Sequence, residues 1–266
     1  MLRKLLFLIF VLLIPTVSVV KAQNTEKVYV LVHGAFQDAS GWDAVISTLE
    51  AAGNTVIAVQ LPGRGDDTTP LGEITLQTYR DVVINTIEQQ EQSVIIVGHS
   101  FGGMVISEVA EAIPDRIESL VYIAAYLPQN GDTLAGLASN DHYSLLGQQG
   151  NFLLAEDFTY AYVNPDIFAS AFCPDCSDEQ LVQVGASQVN EPLAPLNEPS
   201  TVTDANFGGV NKVYILTAED VVVSPQLQAF MISRTPVDQV FALDTGHVPF
   251  ITKPEALGNL LLSVTT

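Results

Sequence analysis

The chain has 266 residues, of which 48% are apolar and 15% are charged. This length fits one domain, or one domain carrying a sizeable insertion, and the apolar content excludes an intrinsically disordered chain. Thirty acidic residues against ten lysines and arginines give a formal net charge of −20, which repels phosphate groups and argues against nucleic acid as a partner. Two cysteines exclude a disulfide-dense scaffold, and four histidines leave little room for a histidine-rich metal site.

The N-terminus predicts a secretory signal peptide over residues 1–22. Arg3 and Lys4 form a positively charged start, residues 5–14 form a short apolar stretch, and Val20-Lys21-Ala22 places small residues before the cleavage point. A proline ends the apolar run before the roughly 20 residues that a membrane-spanning helix needs. We therefore expect a secreted or periplasmic protein with no stable membrane association after cleavage; an uncleaved anchor is the alternative.

Short apolar runs rich in β-branched residues predict buried parallel strands, and segments with helical periodicity alternate with them. The predicted strands are Val28–Val32, Thr55–Val59, Ser93–Val97, Ser119–Ala124, Lys212–Thr217 and Gln239–Leu243. The predicted helices are Trp42–Ala52, Leu76–Glu91, Gly102–Ile113, Pro225–Ser233 and Pro254–Ser263. This alternation predicts an α/β fold, a mostly parallel sheet of about six strands with helices on both faces.

The alternation is interrupted once, between the fourth and fifth predicted strands. That region is rich in Gly, Asn, Pro and Asp, and it carries many of the aromatic residues. We interpret residues 127–205 as a partly helical cap inserted into a core of residues 23–126 and 206–266. The cap aromatics are numerous enough to line an apolar substrate pocket, although the sequence does not show which of them face inward.

The sharpest motif follows the third predicted strand. Gly98-His99-Ser100-Phe101-Gly102 ends a strand and opens directly into a helix, which is the arrangement of a nucleophile elbow. The tight turn leaves little room beside the serine, hence the glycines, and the helix N-terminus supplies backbone donors. We expect Ser100 to be a nucleophile rather than an idle residue in a strand-to-helix turn.

A serine hydroxyl needs a base, and His247 is the best candidate. It follows the last predicted strand, on a loop that should meet the elbow at the carboxyl edge of the sheet. The other histidines, His33, His99 and His142, lie within turns or in the cap, where packing or solvation is the more ordinary role.

The third member of a triad should be a carboxylate that lies between the serine and the histidine in chain order. The fifth predicted strand runs into Ala218-Glu219-Asp220, so two adjacent acids compete for the position. Asp220 is favoured over Glu219 to orient the imidazole and to stabilise its charged form. Asp244 is nearer to the histidine in sequence but should face outward from the end of its strand.

An oxyanion hole needs two N–H groups, which we expect from Phe101, directly after the nucleophile, and from Ala35, in the loop after the first strand. This chemistry requires no cofactor or metal, and no phosphate-binding G-x-x-x-x-G-K-[ST] loop occurs. Cys173 and Cys176 form a C-x-x-C without further metal ligands nearby. In an oxidising compartment they form either a local structural disulfide or two free thiols.

Six segments of the chain resemble the α/β-hydrolase superfamily, in particular the branch of plant methyl esterases, hydroxynitrile lyases and their bacterial relatives. They are VLVHGAFQDASGW (30–42), LPGRGDDTTP (61–70), VGHSFGGMVISEVAEAIPDRI (97–117), VYIAAYLPQNGD (121–132), YILTAEDVVVSP (214–225) and DTGHVPF (244–250). The cap matches only loosely, through residues 175–179. The resemblance implies a triad of Ser100, Asp220 and His247, and it places the oxyanion hole at Ala35 and Phe101.

Two chemistries occur in this branch. The lyases resemble this chain but carry a threonine at the position of Gly34 and a lysine at the position of Val248. Because both polar groups are missing, we expect an esterase that cleaves a small carboxylic ester; alkyl, aryl, lactone and pyrethroid-like esters all fit. A lyase of the hydroxynitrile type and a small-ligand receptor without turnover are the alternatives. The oligomeric state is not visible in the sequence.

Overall fold

The computed structural model describes residues 26–264, so the predicted signal peptide lies outside the described residues. The strands are β1 (Val28–Val32), β2 (Thr55–Val59), β3 (Val94–His99), β4 (Ile117–Ile123), β5 (Phe152–Leu154), β6 (Tyr160–Val163), β7 (Glu191–Pro192), β8 (Lys212–Thr217) and β9 (Gln239–Leu243). The helices are α1 (Asp43–Ala51), α2 (Leu76–Glu88), α3 (Gly102–Ala112), α4 (Leu134–Ala138), α5 (Pro165–Phe172), α6 (Asp178–Ala186), α7 (Leu193–Asn197), α8 (Pro225–Arg234), α9 (Pro249–Thr252) and α10 (Pro254–Ser263). Short 3₁₀ turns lie at Ala39–Trp42, Leu71–Glu73, Pro114–Arg116 and Phe207–Gly209.

The main sheet confirms the predicted α/β fold. Its strands run in the order β2-β1-β3-β4-β8-β9, and all neighbouring pairs are parallel. Every residue of β1 and β3 is buried, whichever way its side chain points, so helices cover both faces of the sheet. Helix α1 packs against α10, and α2 packs against α3.

The predicted element bounds agree with the observed ones to within a few residues. Strand β3 runs two residues further than expected, to His99, so that it reaches the elbow itself. Helix α2 stops at Glu88 rather than at residue 91, because Ile87 is its last buried residue and the chain beyond it is polar. At its other end Thr75 caps the helix through a reciprocal capping box with Thr78.

The strand order places a topological switch point between β1 and β3. The chain passes from β1 to β2 on one side of the sheet and then crosses back to β3 on the other side. In open α/β sheets the crevice for a ligand forms at the carboxyl ends of such strands. Here Val32 pairs with Gly98, so the loops that follow β1 and β3 lie side by side.

Between β4 and β8 the chain forms the elements of the predicted cap. Helices α4 to α7 lie there, as does a three-stranded antiparallel sheet in the order β5-β6-β7. The prediction of a partly helical cap had not included this sheet, whose strands are only two to four residues long. Among residues 26–264 no helix combines the length and apolar content needed to cross a bilayer.

Candidate active site

Ser100 lies at the tip of a tight turn between β3 and α3. Its φ of 53° is in the left-handed region, which non-glycine residues rarely adopt. The turn is fixed from both sides, since the Ser100 amide donates to the Ile123 carbonyl (3.1 Å) and the Ser100 carbonyl accepts from the Tyr126 amide (3.0 Å). A Cβ at Gly103 would lie 2.2 Å from the Tyr126 carbonyl oxygen, so only glycine fits beside this turn.

The structure brings Asp220 and His247 together. His247 Nδ1 lies 2.7 Å from Asp220 Oδ2, and both side chains are fully buried. The second carboxylate oxygen, Oδ1, accepts the amides of Val222 (2.8 Å) and Val223 (2.9 Å), while Thr217 donates its hydroxyl to Oδ2 (2.9 Å). The carboxylate is therefore held by its own loop and strand in the position that fixes the imidazole.

The competing acids lie elsewhere. Glu219 is exposed, and its backbone amide donates to the Thr245 carbonyl (3.1 Å). Asp244 is also exposed, as expected for the end of a strand. Of the three acids considered in the sequence, only Asp220 contacts the imidazole of His247 in the structure.

The ring nitrogen of His247 that faces away from Asp220, Nε2, determines whether the histidine can act as a base. His247 Nε2 is buried and has no hydrogen-bond partner among the described residues. With Nδ1 donating to a carboxylate, Nε2 carries the lone pair and is available as a base. The ring packs edge-on against Phe172 from the cap, with centroids 5.3 Å apart. A buried, unpaired acceptor of this kind is suited to receive a proton from a hydroxyl.

The two neighbouring histidines have structural positions and are held neutral. His99 Nε2 donates to the His247 carbonyl (2.8 Å), and burial, together with the nearby His247, lowers the pKa of His99 well below its usual range. His33 accepts the Leu61 amide at Nε2 (3.2 Å) and donates from Nδ1 to the Gly34 carbonyl (2.9 Å). Burial, with the Arg64 charge adding to it, lowers the pKa of His33 to about 3.

The expected oxyanion donors lie on adjacent loops. Ala35 follows β1, Phe101 follows Ser100, and both Ala35 and Ser100 line the same cavity. Within the described part of the chain neither amide donates to another backbone carbonyl or to a side chain. Both N–H groups are therefore free to bind an oxygen atom of a ligand.

The cavity above Ser100 has a volume of about 690 Å³ and is closed on one side by the cap. Apolar side chains dominate its wall, and no Asp, Glu, Lys, Arg or His lines it. The cap contributes Leu134, Ala138, Leu146, Phe152, Leu154, Phe172, Leu193 and Leu196. Sequence reasoning missed most of these residues, because the only available signal was the aromatic content of the cap, and most of them are aliphatic.

The two cysteines form a disulfide, Cys173–Cys176, directly after α5. Between them Asp175 accepts the Thr245 hydroxyl (2.7 Å) and the Gly246 amide (3.1 Å). This short cap segment therefore holds the loop that carries His247. Within residues 26–264 there is no group of three or more His, Cys, Asp or Glu side chains that could hold a metal ion.

The sequence matches the family model of the alpha/beta hydrolase family over residues 29–259, and the chain belongs to this family. Methylesterase 7 of Arabidopsis thaliana is 29% identical over 258 residues, covering 91% of this chain and 97% of that protein. A chloroplastic protein of the same methylesterase series is 31% identical over 251 residues, but this chain spans only 63% of its length. A second chloroplastic member of the series is 32% identical, and this chain spans 57% of its length.

Solved structures show the same fold at lower identity. Tomato methylketone synthase I, complexed with 2-tridecanone, has a TM-score of 0.80 at 23% identity, with 90% of this chain and 97% of that chain covered. A methylesterase from Arabidopsis has a TM-score of 0.77 at 23% identity, with 89% and 97% covered. A pyrethroid hydrolase from Sphingobium faniae has a TM-score of 0.74 at 22% identity, with 90% and 96% covered.

Proposed function

We propose that this chain is a serine hydrolase that cleaves carboxylic esters through an acyl-enzyme. The observation that carries the proposal is the unpaired Nε2 of His247, buried beside the elbow while Nδ1 is tied to Asp220. The methylesterase relatives support ester hydrolysis as the reaction class. Export of the protein, predicted from residues 1–22, belongs to the same proposal and is tested by N-terminal sequencing of the secreted chain.

The mechanism follows from these positions. Ser100 Oγ attacks the ester carbonyl as His247 Nε2 accepts its proton, and Asp220 stabilises the resulting imidazolium. The amides of Ala35 and Phe101 bind the oxyanion of the tetrahedral intermediate. The imidazolium then protonates the leaving alcohol, which departs and leaves Ser100 acylated. His247 next activates a water molecule, which attacks the acyl group and releases the carboxylic acid.

The cavity defines the substrate class within this reaction. Because no charged side chain lines the wall, a free carboxylate or ammonium group on the substrate would be desolvated without a partner. A volume of about 690 Å³ accommodates an acyl or alcohol group well beyond acetate. We therefore propose neutral, apolar esters as substrates.

The two positions that are polar in the lyases are Gly34 and Val248 in this chain. Val248, at the position of the lyase lysine, is fully buried and apolar. A Cβ at Gly34, at the position of the lyase threonine, would lie 2.8 Å from both Ser100 Cβ and His99 Nδ1. A threonine would fit here only if the elbow or the loop moved, so the site suits hydrolysis better than cyanohydrin cleavage.

The test is steady-state hydrolysis of 4-nitrophenyl acetate, butyrate and hemisuccinate by the wild type and by Ser100→Ala. We expect repeated turnover that falls by about 10⁴-fold or more in the folded variant. Hemisuccinate, which carries a carboxylate, should react about tenfold or more slowly than butyrate in kcat/KM, since a buried unpaired charge costs more than 1.4 kcal/mol. Equal rates in both proteins, or a single acylation without turnover, would refute a serine esterase; the latter would favour a receptor.

A further inference from the structure

A buried polar cluster joins three distant parts of the chain behind the active site. Arg64 and Glu191 form an ion pair (3.0 Å) in which neither side chain is exposed. The Tyr79 hydroxyl donates to Glu191 Oε1 (3.0 Å) and accepts from Arg64 Nη2 (2.5 Å). Arg64 lies in the loop after β2, Tyr79 lies on α2 and Glu191 lies on β7 in the cap.

Glu191 and Arg64 each make a further hydrogen bond to the loop after β1, while Arg64 Nε is buried without a partner among the described residues. Glu191 Oε2 accepts the Phe36 amide (3.1 Å), and Arg64 Nη1 donates to the Gln37 carbonyl (2.8 Å). The Val189 amide donates to the Phe36 carbonyl (3.0 Å). Every hydrogen-bonding group of the Phe36 backbone is thus held by the cap, directly beside Ala35.

Phe36 needs this support, because its φ of 63° lies in the left-handed region. A non-glycine residue in such a conformation costs of order 1–3 kcal/mol and persists only when its surroundings hold it there. The peptide unit that joins Ala35 to Phe36 carries the Ala35 carbonyl and the Phe36 N–H, and the Ala35 N–H lies one peptide unit earlier. If the bond from the Phe36 N–H to Glu191 were lost, Phe36 would relax, the Ala35–Phe36 unit would rotate, and the Ala35 backbone attached to it would shift, moving the Ala35 N–H out of the oxyanion hole.

Stability alone is a poor explanation of the cluster. Replacing a buried ion pair by apolar residues of similar volume is often neutral or stabilising, because both charges lose their hydration. Burial by itself would lower the pKa of Arg64, but Glu191 and Tyr79 together outweigh it and raise that pKa, so Arg64 stays charged. The side-chain hydrogen bonds that Arg64 and Glu191 make outside the cluster both go to the loop after β1.

We propose that Arg64, Glu191 and Tyr79 are positioning residues that hold the Ala35 amide in the oxyanion hole through the backbone of Phe36 and Gln37. This inference rests on the proposed function, since the Ala35 amide matters only if Ser100 forms a tetrahedral oxyanion. It makes the cap a part of the catalytic geometry as well as a wall of the cavity.

The test compares transition-state binding with substrate binding in Glu191→Gln and Arg64→Lys. Glutamine at position 191 removes the negative charge of the carboxylate. Lysine at position 64 keeps the positive charge but cannot reach Glu191 and the Gln37 carbonyl together. The probes are 4-nitrophenyl butyrate and an alkyl trifluoromethyl ketone, which forms a tetrahedral oxyanion on a serine. We expect kcat to fall by about 10²–10³ and the Ki of the ketone to rise by the same factor, while KM changes by less than about threefold.

Glu108→Gln is the matched control. Glu108 is also a buried carboxylate that accepts several bonds, from the Ser200 hydroxyl (2.6 Å) and from the Thr201 amide (2.9 Å) and hydroxyl (2.7 Å). Among the described residues it makes no hydrogen bond to the loop after β1, so its variant should lose thermal stability without changing the Ki of the ketone. If Glu191→Gln does not fold, Arg64→Lys and Tyr79→Phe provide the same comparison.

Folded Glu191 and Arg64 variants that keep kcat and Ki within about threefold of the wild type would overturn the proposal. So would an equal rise of Ki in Glu108→Gln, which would mean that any loss of stability weakens the site. A wild type that the ketone does not inhibit would overturn the proposed function and this inference together. Inhibition that depends on Ser100 but not on Glu191 would overturn the inference alone.

Discussion

Replacing Asp220 by asparagine changes one atom of the triad and gives the sharpest test of the assigned roles. In the structure Oδ1 accepts the Val222 and Val223 amides, whereas Oδ2 accepts from His247 Nδ1. An asparagine must keep its oxygen on the two amides, so its NH₂ group faces the imidazole. Nδ1 then has to accept a hydrogen bond, and the single ring proton moves to Nε2.

That tautomer cannot act as a base toward Ser100, because its Nε2 already carries a proton. The same substitution in a serine protease triad lowers kcat by about 10⁴, and we expect a similar fall here, equivalent to about 5.5 kcal/mol of barrier. The free energy of unfolding should fall by only about 1–3 kcal/mol, since the bonds to both amides remain.

The assay is kcat for 4-nitrophenyl butyrate at pH 7, together with thermal unfolding of each variant. Glu219→Gln is the control, because Glu219 is the adjacent exposed acid and should leave kcat unchanged. If folded Asp220→Asn retained more than about a tenth of the wild-type kcat, the tautomer reasoning would be wrong. An equal fall in Glu219→Gln would show that the wrong acid has been assigned.

Two further predictions concern neighbouring loops. His33 should make the protein acid-sensitive: its pKa is lowered to about 3 in the folded state, from an ordinary value of 6.5. The unfolded chain therefore binds the extra proton, and His33 contributes its full stabilisation above pH 6.5. As the pH drops from 6.5 toward 3, His33 should lower the free energy of unfolding by about 1.4 kcal/mol per pH unit, and His99, whose pKa is also lowered, adds to this slope. Denaturant titrations at several pH values measure this slope. Asp175→Ala, or reduction of the disulfide, should loosen the loop at Thr245 and Gly246 and lower kcat by about tenfold with little change in KM, measured on 4-nitrophenyl butyrate.

Each of these predictions has its own control. His33→Gln retains an acceptor for the Leu61 amide but cannot titrate, so an unchanged pH slope in this variant would contradict the assignment to His33. Glu179→Ala, an exposed substitution in the neighbouring helix α6, should keep the full kcat. A fully active Asp175→Ala protein would show that the cap segment does not position the histidine loop.

The sequence predicted the fold because its signals are local. Buried parallel strands are short apolar runs, and all six lie within two residues of their predicted bounds at each end. The elbow is equally local: glycines at 98, 102 and 103 are needed because backbone atoms approach within 3 Å of the place where a Cβ would lie. The six residues 98–103 thus encode the strand end, the turn and the helix start that position Ser100.

The cap and the contacts across the sheet could not be predicted in this way. The short strands β5 to β7 carry little periodicity, and their pairing joins residues such as Ala161 and Glu191, 30 positions apart. A pair of adjacent acids does not by itself reveal which carboxylate turns inward; the sequence favoured Asp220 over Glu219, the family resemblance implied it, and in the structure Asp220 contacts His247.

The sequence by itself determined the α/β core and the elbow, since each depends on residues within a few positions of one another. Only the tertiary structure shows which residues line the cavity, that Asp175 is hydrogen-bonded to the loop that carries His247, and that Arg64 and Glu191 are buried together. The bond from the Phe36 amide to Glu191 spans 155 positions. Such contacts arise only when the folded core and cap exclude water and bring distant polar groups together, because an unpaired buried charge is too costly to persist.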